Sequence, residues 1–364
     1  MRVAIFTDNF RTDMGGGTKV VYDLANKLKE ENHEVLIVSG KTATSENGKF
    51  KILKLPSLKY PFYDNAEAIF PNFLLVKKLN EFSPDIIHFH DPFTAGITAV
   101  VAAKLLSKKV VGTIHIHPLH MTQYSLRFDN GLAAKKLVGF FSKFSDGLSF
   151  VSKEQMNLYS KYLSGEGNYR VIYPGIPDIF FTDKVPSFGK RVITVSRLAP
   201  EKNLFFAIRV ISEIQRVMDV EYILVGNGPE REKLESYSLS IGAKVKFLGA
   251  VKREDLKELY LNSSVFFLPS KTETFGLVFA EAMACGLPVV ALNKGSAPEV
   301  VGNGGIICEE DEKVVSKAIS ELLVNKELWV KKSKAAKRRA EVFNLNDFVK
   351  NFLEFYRTTI ELGS

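Results

Sequence analysis

The sequence predicts an α/β protein built from two doubly wound parallel-sheet domains. Three observations carry this. Short apolar, often β-branched runs recur along the chain, each followed by a turn and then a segment of helical period. The series is interrupted at Tyr173-Pro174-Gly175-Ile176-Pro177, a candidate hinge, and begins again at Arg191. The length, 364 residues, suits two domains of this kind.

In the first half, Val3–Thr7 reads as a strand, Gly15-Gly16-Gly17 as a loop, and 20–29 as a helix with apolar positions 20, 21, 24, 25 and 28. Strands follow at Glu34–Val38, Ile86–Phe89, Val110–Thr113, Asp146–Phe150 and Tyr169–Ile172, with a small-residue helix over Ala95–Leu106. The second half gives strands at Val192–Val195, Tyr222–Val225, Val245–Phe247, Val265–Leu268, Pro288–Ala291 and Gly305–Ile307, with a helix from about Leu204 to Arg216. The halves repeat an architecture, not a sequence. Ligands of such sheets bind beyond the carboxyl ends of the strands, so the chemistry belongs in post-strand loops at a shared cleft.

Composition excludes several classes. Apolar residues make up 46% and charged residues 25%, which rules out a disordered or fibrous chain. Two cysteines, Cys285 and Cys308, give neither a disulfide framework nor a four-ligand zinc site, and a reducing cytosol is the expected compartment. No signal peptide and no spanning run of 18 apolar residues is expected. Scarce glutamine beside abundant Lys and Glu leans towards a thermophilic source. The formal charge of +8 favours anionic ligands without naming one. Gly15-Gly16-Gly17 lacks the G-x-G-x-x-G phasing of a dinucleotide oxidoreductase.

Two post-strand loops of the second half carry candidate phosphate chemistry. Ser196–Asn203 places Arg197 and Lys202 at a loop-to-helix junction, a rigid fork beside a point charge, which suits a diphosphate. A solvated loop with a surface ion pair explains the same octet. In Glu273–Glu281, the loop ends near Phe275 and a helix starts at Leu277, so backbone N–H groups there favour a phosphate or sugar hydroxyl. Gly276 permits close approach. Glu281, on an otherwise apolar helix, needs a hydroxyl or a cation as partner. Capping with a structural ion pair is the other explanation.

Five of six histidines lie between positions 88 and 120: His88, His90, His115, His117 and His120. Convergence of His88, His90 and His117 on zinc is conceivable, but only Asp91 accompanies them as an acid, and no metal is assigned. Residues 49–78 hold six lysines among many aromatic and aliphatic residues, and Leu137–Phe144 is a second aromatic stretch after Lys135-Lys136. Such interleaving fits a membrane-interface surface or an ordinary amphipathic helix. The basic run Lys331, Lys332, Lys334, Lys337, Arg338 and Arg339 reads as a solvated helix face, with no nucleic-acid module around it.

Taken together, Ser196-Arg197 with Glu201-Lys202-Asn203, the Gly226-Asn227-Gly228-Pro229 turn, Glu273 and Glu281 spaced as E-x7-E, Pro269-Ser270, Glu281–Val290 and Gly16-Gly17 resemble the retaining GT-B-fold glycosyltransferases of family 4, the "glycosyl transferases group 1" type. The resemblance covers nearly the whole chain. It implies two Rossmann-like domains facing across a cleft. The acceptor-side domain would take 1–173 plus about 345–364, and the donor-binding domain 178–344. It also implies roles. Arg197 and Lys202 would hold the donor diphosphate and stabilise the departing nucleoside diphosphate. Glu273 would contact the sugar hydroxyls and Glu281 the ribose. The backbone of Phe275, Gly276, Leu277 and Val278 would lie along the sugar and phosphates, with Asn227 also on the donor side. Val251 and Lys252 would border the base, and Gly16 and Gly17 would approach the phosphates and acceptor. His115 would face the donor sugar, with His117 competing for that place; His88 would order the loop after its strand, although for His88, His90 and His120 a satisfied structural histidine is the leading reading. No cofactor and no metal is implied beyond a UDP- or GDP-linked sugar.

Lys19 stands where an acid is common and suits an anionic acceptor; Asn32 and Pro174-Gly175 also depart from the family pattern. His90–Gly96, Gly112–His115, and the segments around Leu55–Leu58 and Tyr60-Pro61-Phe62 resemble members that glycosylate diacylglycerol or phosphatidylinositol. Tyr60, Phe62, Lys19 and His117 are the candidate acceptor-side residues. The expected activity is therefore hexosyl transfer to a hydroxyl, first of all on a membrane lipid at the inner face of the cell membrane, with a soluble sugar or sugar phosphate as alternative. A nucleotide-sugar epimerase or a silent nucleotide-sugar-binding protein of the same architecture is the rival class. Nucleic acid is not an expected partner.

Overall fold

The strands are β1 (Arg2–Thr7), β2 (Glu34–Ser39), β3 (Lys51–Lys54), β4 (Ser57–Lys59), β5 (Glu67–Ile69), β6 (Ile86–His90), β7 (Lys109–Ile114), β8 (Gly147–Phe150) and β9 (Tyr169–Val171), then β10 (Arg191–Val195), β11 (Glu221–Val225), β12 (Val245–Gly249), β13 (Val265–Leu268), β14 (Val289–Leu292) and β15 (Gly305–Cys308). The structure is a computed structural model that describes residues 1–11, 15–44, 48–60, 67–90, 92–119 and 131–362. It forms two units, Met1–Gly175 with Leu345–Ser364, and Ile176–Asn344. The first division lies inside the Tyr173–Pro177 segment.

Unit 1 holds a seven-stranded parallel sheet in the order β3-β2-β1-β6-β7-β8-β9, and β4 and β5 form a separate antiparallel ribbon. Unit 2 holds a six-stranded parallel sheet in the order β12-β11-β10-β13-β14-β15. In each, the order reverses beside a central strand, between β1 and β6 and between β10 and β13. These switch points open a crevice at the carboxyl strand ends. The loops singled out in the sequence, after β10 and after β13, flank the second one.

Alternation along buried strands decides which helices cover which face. In unit 1, Ala4, Phe6, Ile87, Phe89, Leu148 and Phe150 pack with the helices Phe73–Phe82, Thr94–Leu105 and Leu132–Phe144. The opposite face carries His88 and receives the helix Leu345–Glu361, which buries Phe348, Phe352, Phe355 and Tyr356 along one stripe. Each such ring contributes about 1.5–3 kcal/mol by burial.

Two features differ from the sequence-level expectation, and a third, at His88, agrees with it. The short strands β3 to β5 and the helix Phe73–Phe82 occupy the lysine-rich 49–78 segment, where charge masks the apolar pattern. His88 is a satisfied structural histidine inside its strand, as expected. It lies within β6, and its Nδ1 is 2.7 Å from Tyr356 Oη and its Nε2 2.7 Å from Thr113 Oγ1, so it ties the last helix to the sheet. The basic run is not a simply solvated face. Lys332 Nζ donates to Gly305 O, Lys337 Nζ to Thr182 O and Lys184 O, and Arg339 to Val300 O and Glu299 O. The cationic heads satisfy backbone carbonyls of neighbouring segments instead of facing solvent alone.

Candidate active site

In unit 2 the loop after β10 is held against two neighbours. Gly226 leaves β11 at φ +132°, and a Cβ there would stand 1.8 Å from Ser196 O, so only glycine fits. Leu198 N donates to Asn227 O at 2.9 Å, and Gly228 N to Asn227 Oδ1 at 3.0 Å. Glu201 O accepts from Ser270 Oγ and from Lys271 N, both at 3.1 Å, which joins this loop to the one after β13. Arg197 is exposed on the loop, and Lys202 closes the short helical turn Pro200–Lys202.

Lys202 Nζ lies 2.6 Å from Glu273 Oε1, with the side chains 16% and 10% exposed. The backbone of Glu273 is fixed by Ser296 N, which donates to its O at 3.1 Å. Gly276, at φ +83°, is the N-cap of the helix Leu277–Ala284, and a Cβ there would run into Phe279. Phe275 and Gly276 are buried, while Leu277 and Val278 are half-buried. The sequence therefore placed a cation and a carboxylate on two loops that the fold brings into contact.

Glu281 is 2% exposed and has a cation for a partner: Arg253 Nη2 lies 3.0 Å and Nε 3.1 Å from its Oε1. Tyr260 Oη is 3.5 Å from Oε2. Burial, with the Glu281 carboxylate next, pushes the Tyr260 phenol well above its usual range. Arg253 and Tyr260 were missed in the sequence. Arg253 begins the helix that follows Val251 and Lys252, and nothing local ties it to a residue on another helix. Val251 is half-buried and Lys252 exposed at this helix start.

Unit 1 brings a second group together. His115 follows β7, and a Cβ built on Gly17 would lie 3.7 Å from His115 Cβ and Cγ, so Gly17 packs on this ring. Gly16 and Gly17 open the helix Gly16–Glu30, whose first turn carries no acid, and Lys19 lies half-buried in that turn. His115 Nε2 is 2.8 Å from His90 Nδ1. His117 is buried, and its Nδ1 accepts from Leu119 N at 3.2 Å. The ring that meets the glycine loop is thus His115.

The His88 chain has a definite direction. Ser149 Oγ donates to Gly112 O at 3.4 Å, and Thr113 Oγ1 lies 2.7 Å from Ser149 Oγ. A carbonyl only accepts, so Thr113 donates to Ser149, His88 Nε2–H donates to Thr113, and Tyr356 donates to His88 Nδ1. Burial holds His88 at about 3, neutral in ordinary buffers. His90 is held well below the usual imidazole range by burial and by its neighbours His88 and His115.

Tyr60 packs on Phe93 at 6.3 Å, and burial followed by the Asp8 charge raises its phenol. Asp8, another residue the sequence reading missed, accepts from Thr94 Oγ1 at 2.5 Å and from Ala95 N at 3.0 Å, which fixes the start of the helix after β6. Phe62, Asp91 and His120 lie outside the described residues. Among the described residues no three His, Cys, Asp or Glu side chains are grouped as metal ligands, and no helix is long and apolar enough to cross a membrane.

Two doubly wound units, with cations and helix starts on switch-point loops, define a protein of the GT-B class. Residues 14–178 match the family Glycosyltransferase Family 4, and residues 176–340 match Glycosyl transferases group 1. The chain is 27% identical to the sulfoquinovosyl transferase SQD2 of Arabidopsis thaliana, over 75% of this chain and 56% of that protein. It is 27% identical to the N-acetyl-alpha-D-glucosaminyl L-malate synthase of Bacillus anthracis, over 86% of each. Its fold matches the sucrose-phosphate synthase of Thermosynechococcus elongatus with TM-score 0.80 at 18% identity, over 99% of each chain. The chain is a GT-B-fold glycosyltransferase related to these two families.

Proposed function

We propose that this glycosyltransferase moves a hexosyl group from a UDP- or GDP-linked sugar to a hydroxyl, with retention of anomeric configuration. The observation that carries this is the Lys202–Glu273 contact between the two loops at the β10/β13 switch point. Arg197 and Lys202 bind the diphosphate and offset the charge that develops as it leaves, which removes the need for a general acid. Glu273 takes the sugar hydroxyls, and the N–H groups from Phe275 to Val278 line the sugar and phosphates. Glu281, oriented by Arg253, accepts the ribose hydroxyls. Val251 and Lys252 border the base, with Asn227 nearby on the donor side. His115 takes a sugar hydroxyl, and Gly16 and Gly17 admit phosphate and acceptor.

The acceptor favoured here is a soluble sugar or sugar phosphate. Lys19 and the acid-free first turn at Gly16 support an anionic group. The Bacillus anthracis relative is named for joining a sugar to L-malate. A lipid acceptor of the diacylglycerol or phosphatidylinositol type is the second reading, favoured by one observation. Ile97, Val101 and Leu105 are exposed at four-residue spacing on one helix, Phe140 on the next, and Phe73 is 89% exposed on a third, all from the same sheet face. The helices Thr94–Leu105 and Leu132–Phe144 contain no acid but four lysines. That combination suits an anionic bilayer.

The test offers UDP- and GDP-hexoses with hexoses and hexose phosphates in one arm and with anionic vesicles containing diacylglycerol or phosphatidylinositol in the other. Transfer in the soluble arm supports the first reading. Transfer confined to vesicles overturns it in favour of the second.

A further inference from the structure

We infer that His90 is a positioning residue that fixes His115 as the tautomer with its proton on Nδ1. His90 ends β6, and its register partner on β7 is Thr113, two residues before His115. The two imidazoles lie 17° from parallel with centroids 5.1 Å apart, joined by the 2.8 Å contact between His90 Nδ1 and His115 Nε2. His90 is 1% exposed, and its other nitrogen, Nε2, is buried without a hydrogen-bond partner among the described residues.

That unpartnered atom decides the direction of the bond. A neutral imidazole carries one N–H. With the proton on Nε2, His90 would bury a donor that reaches no acceptor, the kind of group that native structures almost never leave unpaired. With the proton on Nδ1, only a lone pair is left unmet, and the N–H is used. His90 therefore donates and His115 Nε2 accepts. An accepting Nε2 carries no proton, so the His115 proton sits on Nδ1.

The consequence is chemical. His115 Nδ1 is a donor, not a base, and towards a hydroxyl it can only hydrogen-bond the oxygen without removing its proton. The same contact disfavours a doubly protonated His115, because an Nε2–H would need His90 to turn its own proton towards the partnerless side. This deepens the proposed role of His115 at the donor sugar and rests on that role for its effect on turnover. The tautomer itself does not.

The test is nitrogen-15 NMR of histidine-labelled full-length protein, with the His115 signals assigned by their loss in His115→Gln, alongside steady-state kinetics. The expected wild-type result is a protonated Nδ1 and an unprotonated Nε2 at His115. His90→Asn, whose amide nitrogen can occupy the Nδ1 place, should keep that signature and keep kcat within a few-fold. His90→Leu should shift His115 to the Nε2–H form and lower kcat about tenfold or more, with donor KM little changed. A wild-type His115 protonated on Nε2 overturns the inference, as does a His90→Leu variant that keeps both the Nδ1–H signature and wild-type kcat. If His90→Leu does not fold, the wild-type tautomer and His90→Asn still decide. If no donor is turned over, the tautomer is still read, so failure of the transferase reading is separable from failure of this one.

Discussion

Lys202 and Glu273 are 2.6 Å apart, each on a different loop beside the same switch point. The pair links the cation assigned to the diphosphate with the carboxylate assigned to the sugar. Lys202→Ala leaves Glu273 mostly buried without its cation, which is expected to cost about 2 kcal/mol of stability in a partly exposed site. It should also lower kcat about 10²–10³-fold. Denaturant titration and nucleoside diphosphate release measure the two effects. Stability loss with full turnover would leave the pair as a structural ion pair only.

Arg253 is the cation partner of Glu281, a carboxylate that is 2% exposed. Arg253→Ala leaves Glu281 buried and charged, and unit 2 should lose about 3 kcal/mol or more. Urea titration of the variant checks this. An unchanged midpoint would mean that Glu281 does not depend on Arg253. Conservative Arg253→Lys should recover part of the loss, since it restores charge but not the paired guanidinium geometry.

Gly17 separates function from folding. It lies in a helix, its φ is unexceptional, and an added Cβ would meet only His115 at an ordinary 3.7 Å. Gly17→Ala should therefore melt no lower than the parent, because alanine favours a helix by up to about 1 kcal/mol. Turnover should fall at least about tenfold if donor or acceptor approaches this backbone. A stable and fully active Gly17→Ala variant removes Gly17 from the site.

Acid should weaken unit 1. His88 falls to about 3 from an ordinary 6.5, and His90 moves the same way. The folded state then binds fewer protons than the unfolded chain, so stability rises with pH in that window. The contribution is complete above about 6.5 and is lost as pH falls towards about 3. Each histidine accounts for a slope of at most about 1.4 kcal/mol per pH unit. Urea midpoints followed from pH 7.5 down to 4.5 should fall steadily, and His88→Gln should flatten the slope. A flat wild-type profile would contradict the buried neutral assignment.

The parallel strands were legible because they are buried on both faces and read as unbroken apolar runs. The loops after β10 and β13 were legible because charge and glycine follow those runs directly. What stayed hidden depends on distant partners. His88 was legible as a strand residue, but its partner Tyr356 was not, because that residue lies far along the chain. Arg253 drew no notice because its carboxylate sits on another helix. Lys332, Lys337 and Arg339 looked solvated because the carbonyls they satisfy belong to Gly305, Thr182, Lys184, Val300 and Glu299. Periodicity reports which side of an element is apolar. It does not report which polar atoms end up sharing an interior.

Every role assigned above depends on transfer from a nucleoside-diphosphate sugar by the residues around Lys202. Its most direct measurement is release of UDP or GDP from a panel of hexose donors, with the anomeric configuration of the product read by NMR, for wild type and Lys202→Ala side by side. Expected are turnover with at least one donor, product of the donor's own configuration, and a variant slower by about a hundredfold or more. Release from no donor, an inverted product, or equal rates in the two proteins would contradict that expectation.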